Sequence, residues 1–276
     1  MDEFLRTLDD GRVFVDYGPA SMVITARREG KPVPELASAA FPFLRDSLAE
    51  IAAELPVLRQ YPARGDFSSL LGLPRVMAEA VLATGEPTLT PMAAVAGTVA
   101  DAVADWIFAR GADLVAVNNG GDVALRLGPG QSIRMGILPR LDGGGVTEVV
   151  TIAAEDGVGG VCTSGLGGRS LTRGIANAVT VFSRRCALAD ACATHIANCS
   201  YVASPRVIIC RAGDLEPESD IADLTIVRAV GELNEGEIRQ GLDQIRTETL
   251  RQMDRGNLSR LAADVRGRRI WVPDPE

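Results

Sequence analysis

The stretch Leu188-Ala189-Asp190-Ala191-Cys192-Ala193-Thr194-His195 constrains this chain more than any other. It is built of small apolar residues, yet it carries one carboxylate and, four positions later, one hydroxyl. On a helix, residues i and i+4 share a face, so Asp190 and Thr194 point the same way. The alanines beside them leave room for another backbone or a ligand to approach closely. A bare carboxylate in such surroundings is strongly desolvated unless it meets a cation or several hydrogen-bond donors. Two readings follow. Asp190 and Thr194 offer oxygens to a hard cation such as Mg²⁺, whose other positions go to water or phosphate. Alternatively, Asp190 caps the helix start and Thr194 bonds back to a carbonyl.

Size and charge narrow the setting. A chain of 276 residues buries about 75% of its unfolded surface and needs no staples. That length allows one large domain or two fused units. Hydrophobic residues at 46% and a mean hydropathy of +0.12 describe a packed globule. A net charge of −8 argues against a nucleic-acid partner while leaving room for a local basic pocket. No segment reads as a membrane span, and the first ten residues have no apolar signal core, so a cytoplasmic protein without a membrane partner is expected. Five cysteines without a C-x-x-C pair suit a reduced compartment. Cys186, Cys192 and Cys199 match no familiar zinc spacing, and zinc is not expected. His195, the only histidine, lies five residues after Asp190 and points away from it, so it reads as structural.

Alternation predicts a hairpin over 12–28 around Tyr17-Gly18-Pro19. Helical spacing runs from Glu35 to Leu55, with Pro42 marking a late start or a break. A further helix spans Pro74 to Ala83 with Gly85 after it. Thr90-Pro91 predicts an N-cap for an Ala/Val-rich helix, 92–110, polar only at Asp101 and Asp105. A tight hairpin follows at Leu114–Leu127, turning on Asn118-Asn119-Gly120-Gly121. Strands are expected at 132–138 and 146–153, separated by a loop at 142–145. A glycine-dense loop covers 157–174. Strands at 178–183, 206–210, 224–230 and 269–272 surround the helix of the opening stretch and an amphipathic helix, 234–253. That last helix leaves oligomerisation open, since it suits the body of the protein or a second copy equally.

Four small-residue stretches compete for one site. Ala94–Asp101 permits close approach to a helix. Val117-Asn118-Asn119-Gly120-Gly121-Asp122 exposes backbone N–H groups at a strand end. Thr163-Ser164-Gly165 offers two hydroxyls and open N–H groups, with Arg169 and Arg173 nearby as guanidinium forks for phosphate. The fourth is Ala189–Thr194. Singly, these are an ordinary packed helix, a hairpin turn, a glycine loop with solvated arginines, and a packing surface.

Their order resembles the ApbE-like family, the FAD:protein FMN transferases. In that family a helix like Ile-Ala-Lys-Gly-Tyr-Ala-Val-Asp is followed by a Val-Asn-Xaa-Gly-Gly-Asp turn. A Thr-Ser-Gly loop and an Ala-Asp-Ala-Xaa-Ala-Thr helix come next. The resemblance covers about residues 90–200. It implies an α+β fold of two fused T-fold-like units, with largely antiparallel sheets and packed helices, as a single domain over 1–276. It also implies FAD or FMN in a cleft, contacted by Asn118, Asn119, Gly120, Gly121, Asp122, Thr163, Ser164, Gly165, Arg169 and Arg173. Mg²⁺ would take the side chains of Asp190 and Thr194 and the carbonyls of Val95 and Ala193. The family's helix lysine is Ala96 here and its tyrosine Thr98. Its His-Xaa-Xaa-Asp-Pro segment is absent, and Ser170–Arg173 occupies that region. The sequence therefore supports a Mg²⁺-dependent flavin-nucleotide protein, as a flavin-transferring or FAD diphosphate-cleaving enzyme. A non-catalytic flavin or nucleotide carrier and a small-molecule enzyme that reuses the cleft without flavin are the alternatives.

Overall fold

The computed structural model describes residues 3–137, 148–168 and 170–274. Its first half opens with strands β1 (Leu5–Thr7), β2 (Val13–Tyr17), β3 (Ala20–Arg28) and the short β4 (Lys31–Pro32). Helices α1 (Pro34–Ser38), α2 (Phe41–Ala53), α3 (Leu55–Leu58), α4 (Gly72–Thr84) and α5 (Val95–Phe108) come next. Strands β5 (Leu114–Asn119) and β6 (Asp122–Leu127) close this half. A separate hairpin, β7 (Ser132–Ile137) and β8 (Glu148–Ala153), leads into the second half. There β9 (Gly160–Ser164) and β10 (Ala178–Ser183) precede α6 (Cys186–Cys199) and the hairpin β11 (Val207–Arg211) and β12 (Thr225–Val230). Helix α7 (Glu235–Asp254) and strands β13 (Arg260–Val265) and β14 (Arg268–Val272) finish it.

One sheet runs β1-β2-β3-β5-β6-β9-β10-β13-β14, with β4 on the edge of β3. Every pairing in it is antiparallel. A four-strand order appears twice, β2-β3-β5-β6 and β9-β10-β13-β14, with the helices between its second and third strands; β1 and β4 flank the first set and the β11–β12 hairpin lies among the helices of the second. These are the two fused T-fold-like units expected from the sequence. They meet where Val123 pairs with Val161 and Ala124 with Gly160, which makes the two sheets one.

Alternation explains the faces. Along β3, Ala20, Met22, Ile24 and Ala26 are buried toward the helices while the residues between them face the other way. The helix side holds the main core. On the opposite face a smaller cluster, including Leu125, Ile137, Ile152 and Phe182, lies beneath the β7–β8 hairpin.

Pro42 sits in the first turn of α2, and α1 ends just before it, the break that the sequence allowed. Asn234 caps α7, accepting from Glu237 N at 2.9 Å while Glu237 answers with a 2.7 Å bond to Asn234 N. Three expectations change. Thr90 caps nothing: its hydroxyl bonds the Asp220 carboxylate, and a 3₁₀ turn, Pro91–Ala94, precedes α5. The glycine-dense segment is partly strand β9, because α6 lies directly on it; a Cβ at Gly160 would sit 2.3 Å from Cys186 Cα. Pro91–Phe108 does reach the length and hydropathy, 1.2 over 18 residues, of a membrane span. In this fold more than half of that stretch is buried in the interior, between the sheet and α6. The loop expected at 142–145 lies outside the described residues.

Candidate functional site

Helices α5 and α6 cross at the middle of the sheet, and an ion network fixes the crossing. Asp101, 1% exposed, bonds Arg126 Nη2 at 2.8 Å and accepts from Ala187 N, in the first turn of α6, at 3.0 Å. Arg126 also binds Asp105, whose other oxygen takes Arg185 at 2.9 Å. Burial opposes the charge of Asp105, but the two guanidinium groups hold its carboxyl below the usual range. Thus the only two acids on an otherwise apolar helix join α5 to β6 and to the start of α6.

One turn further into each helix the approach is closer still. A Cβ at Gly97 would lie 2.4 Å from Cys186 O and 2.9 Å from Asp190 Cβ. This is the backbone contact that the small residues around Asp190 anticipated. Gly97 N–H donates to Asp190 Oδ2 at 2.8 Å. From the sheet side, Asn119 Nδ2 donates to Ala96 O at 3.2 Å. The first turn of α5 is therefore held by α6 on one side and by the end of β5 on the other.

Beyond β5 the chain reverses through Gly120 and Gly121, both at positive φ (69° and 117°), with Gly121 N–H on Asn118 Oδ1 at 2.9 Å. This turn faces the end of β9, where the Thr163 and Thr180 hydroxyls bond across strands at 2.9 Å. Between them opens a cleft of about 620 Å³. Asn118 to Asp122, Thr163 to Gly165 and Val95 all line it. Its apolar end runs over the sheet, with Val23, Val123 and Val161 beneath and Ile133 and Met135 of β7 at its side. Arg12 and Arg134 also border it, and neither was singled out from the sequence. The polar–apolar alternation of Ser132-Ile133-Arg134-Met135 is the sequence signal that sets Arg134 on the face opposite Ile133 and Met135.

Charge concentrates where cleft and helix meet. Burial pushes the Asp122 carboxyl up to about 6, against the pull of the Cys162 thiol and the Thr163 backbone N–H. Asp190 is raised well above the carboxylate range, first by burial and then by the charge of Asp122, with the Gly97 and Ala96 N–H groups acting against the rise. No arginine or lysine is among the groups shifting either acid. Both carboxylates are desolvated, and the charge of Asp122 acts on Asp190.

Comparisons with known proteins bear on this arrangement. The family model described as AbpE bacteria matches residues 5–269. The chain belongs to this family. The UPF0280 protein MK0206 of Methanopyrus kandleri is 36% identical over 194 residues, covering 68% of this chain and 75% of its own length. The UPF0280 protein of Methanosarcina acetivorans is 35% identical over 130 residues, and there the match spans 49% of the relative's length. Among solved structures, the flavin transferase ApbE from Vibrio cholerae is similar with a TM-score of 0.44 at 13% identity, covering 67% of this chain and 85% of that one. The Pseudomonas stutzeri flavinyl transferase ApbE gives 0.42 at 17% identity, covering 71% and 85%.

In this AbpE family member the expected site residues divide into groups. The turn and strand-end residues gather at the cleft with Val95. Asp190, Ala193 and Thr194 lie on α6 behind it and do not line it; Asp190 is linked to it through Gly97 and through the field of Asp122. Arg173 is elsewhere: its Nη1 donates to Thr88 Oγ1 at 2.7 Å and its backbone N–H to Asn198 Oδ1 at 2.8 Å. The chain turns back toward α6 at Gly174, which carries Arg173 away from the Thr-Ser-Gly end. Arg169 lies outside the described residues. Ala96 lines the cleft, at the position where the resemblance sets a lysine. His195 is buried, 6% exposed, with Nε2 2.9 Å from Glu248 Oε1.

Proposed function

We propose that this protein binds a flavin nucleotide, FAD or FMN, in the cleft together with Mg²⁺. The observation that carries the proposal is convergence: segments at 95–99, 118–123 and 161–165 are far apart in sequence, yet they line one opening, with the acid of α6 behind it, bonded to Gly97. The volume suits a nucleotide-sized ligand. An apolar floor and wall accept a flat ring, while the amides, hydroxyls and open N–H groups of Asn118–Asp122 and Thr163–Gly165 suit phosphate oxygens. Mg²⁺ would be held by Asp190 and Thr194 with the carbonyls of Val95 and Ala193, and Asp122 adds a second carboxylate facing the diphosphate. The ion, when bound, supplies positive charge against the diphosphate and against charge that develops when its anhydride opens. The chain's own contribution is to exclude water with β7, to orient the phosphates, and to keep both acids ready for a cation.

The methyl of Ala96 in the cleft favours a second reading, a flavin carrier that binds without transferring. Family membership supports flavin transfer, whereas this substitution supports binding alone. Fluorescence titration of FAD, FMN and ADP tests the shared part: saturable binding of FAD, competed by ADP, is expected. Absence of saturable binding of any of the three with Mg²⁺ present overturns it. Incubation of loaded protein with an acceptor polypeptide then separates the two, since only a transferase leaves FMN covalently attached.

A further inference from the structure

Away from the cleft, α6 and α7 share a cluster that no part of the flavin reading uses. His195 and Cys199 lie at i and i+4 on α6, so they share a face, and Glu248 of α7 meets them. One donor atom from each, a ring nitrogen, Sγ and a carboxylate oxygen, lies within 4.8 Å of the other two. We propose that these three residues bind a zinc ion that ties α6 to α7.

The ligand chemistry selects the metal. Imidazole nitrogen, thiolate sulfur and one carboxylate oxygen suit borderline-soft Zn²⁺ in a tetrahedral shell. Zinc bonds of ordinary length set ligand atoms roughly 3.3–3.7 Å apart. His195 Nε2 and Glu248 Oε1, now at 2.9 Å, need to open only by a few tenths of an ångström. The other ring nitrogen faces a second carboxylate: His195 Nδ1 stands 3.7 Å from Glu86 Oε2. Without metal the ring donates from Nε2 to Glu248; with Nε2 on the metal the proton sits on Nδ1, on the Glu86 side. Arg251 takes the other oxygen of Glu248 at 3.3 Å, and Gln252 Nε2 donates to Oε1 at 2.8 Å.

The fourth position faces a surface groove bordered by Cys199, Glu248 and Gln244. Gln244 Oε1 is buried there and has no hydrogen-bond partner among the described residues. It lies one helical turn before Glu248, where it can accept from a metal-bound water or replace it. On binding, the Cys199 thiol releases its proton to solvent and the His195 ring proton passes from Nε2, where it meets Glu248, to Nδ1 on the Glu86 side; no electron moves. The cysteines grouped from the sequence, 186 and 192 with 199, do not form this site, and its carboxylates come from α7 and from the loop after α4.

Cobalt reports the sulfur directly. Metal-stripped full-length protein is titrated with Co²⁺ under argon and then with Zn²⁺. A sulfur-to-cobalt charge-transfer band with tetrahedral d–d intensity, saturating at a single equivalent and erased by Zn²⁺, is expected. The band should vanish in Cys199→Ser and persist in Cys162→Ala, whose sulfur adjoins Asp122 instead. Glu86→Gln should weaken Co²⁺ binding about 10–100-fold without removing the band. Absence of the band in wild type, or its survival in Cys199→Ser, overturns the proposal. Far-ultraviolet circular dichroism checks each variant's fold. If Cys199→Ser does not fold, Glu248→Gln carries the test, with at least tenfold weaker Co²⁺ binding expected and unchanged affinity overturning it. None of these outcomes depends on flavin, so failure here leaves the cleft untouched.

Discussion

Gly97 and Asp190 are joined across the α5–α6 crossing by a 2.8 Å bond from backbone N–H to carboxylate oxygen, at a spot where a Cβ on residue 97 would meet Cys186 O at 2.4 Å. The closeness and the bond depend on each other, since only a glycine lets the helix backbone come near enough to donate.

Gly97→Ala sets two effects in opposition. Alanine favours the helix by about 1 kcal/mol, while forcing the crossing apart costs about 1–3 kcal/mol and breaks the bond to Asp190. The steric effect wins because the obstacle is backbone, which has no rotamer to move to. Urea unfolding should show a net loss of stability. A gain would mean that the helices are not in this contact.

Asp122 predicts a pH effect whose sign follows from its raised carboxyl, near 6 in the fold. Between about pH 4 and pH 6 the folded chain keeps a proton that the unfolded chain has lost, so stability in metal-free buffer falls as pH rises through that window. Asp122→Asn should flatten this slope. Mg²⁺ needs both acids ionised, and Asp190 is itself raised, so its affinity should rise through this window and above it. Denaturation midpoints across the range, without and with Mg²⁺, check both, and equal metal-free slopes in wild type and variant would contradict the raised carboxyl.

Arg126→Met leaves Asp101 buried beside no full counter-charge, since Arg185 reaches it only from a half-exposed position at 3.4 Å. Removing one partner of a buried pair costs about 3–5 kcal/mol. Adding Asp101→Asn should recover a good part of that loss, because it removes the orphaned charge. A single-variant loss below about 1 kcal/mol would show that the network is incidental.

The elements were legible where local chemistry dominates: the Asn-Gly turn, the break at Pro42, the amphipathic helix over 234–253, and the helix holding Asp190 and Thr194. Strand β13 was not, because its side chains alternate too weakly to stand out from the turn before it. Strand β9 read as a loop because its glycines serve α6 across the sheet, a long-range need that mimics local flexibility. Arg173 shows the limit for function. Nearness in sequence to Thr163-Ser164-Gly165 suggested a shared phosphate, yet the chain turns away at Gly174 and spends the guanidinium on Thr88. Conversely, the electrostatic link between Asp122 and Asp190 spans 68 residues and exists only in the folded chain.

The most direct test is calorimetry of FAD binding with and without Mg²⁺, on wild type and on Asp190→Asn. Asparagine keeps the shape at position 190 and removes the charge, while its amide oxygen still accepts from Gly97, so the crossing survives. FAD should bind wild type at least tenfold more tightly with Mg²⁺ than without, and the variant should bind it equally in both buffers. A wild type indifferent to Mg²⁺, or a variant that keeps the full enhancement, would contradict a metal-assisted flavin site on this helix.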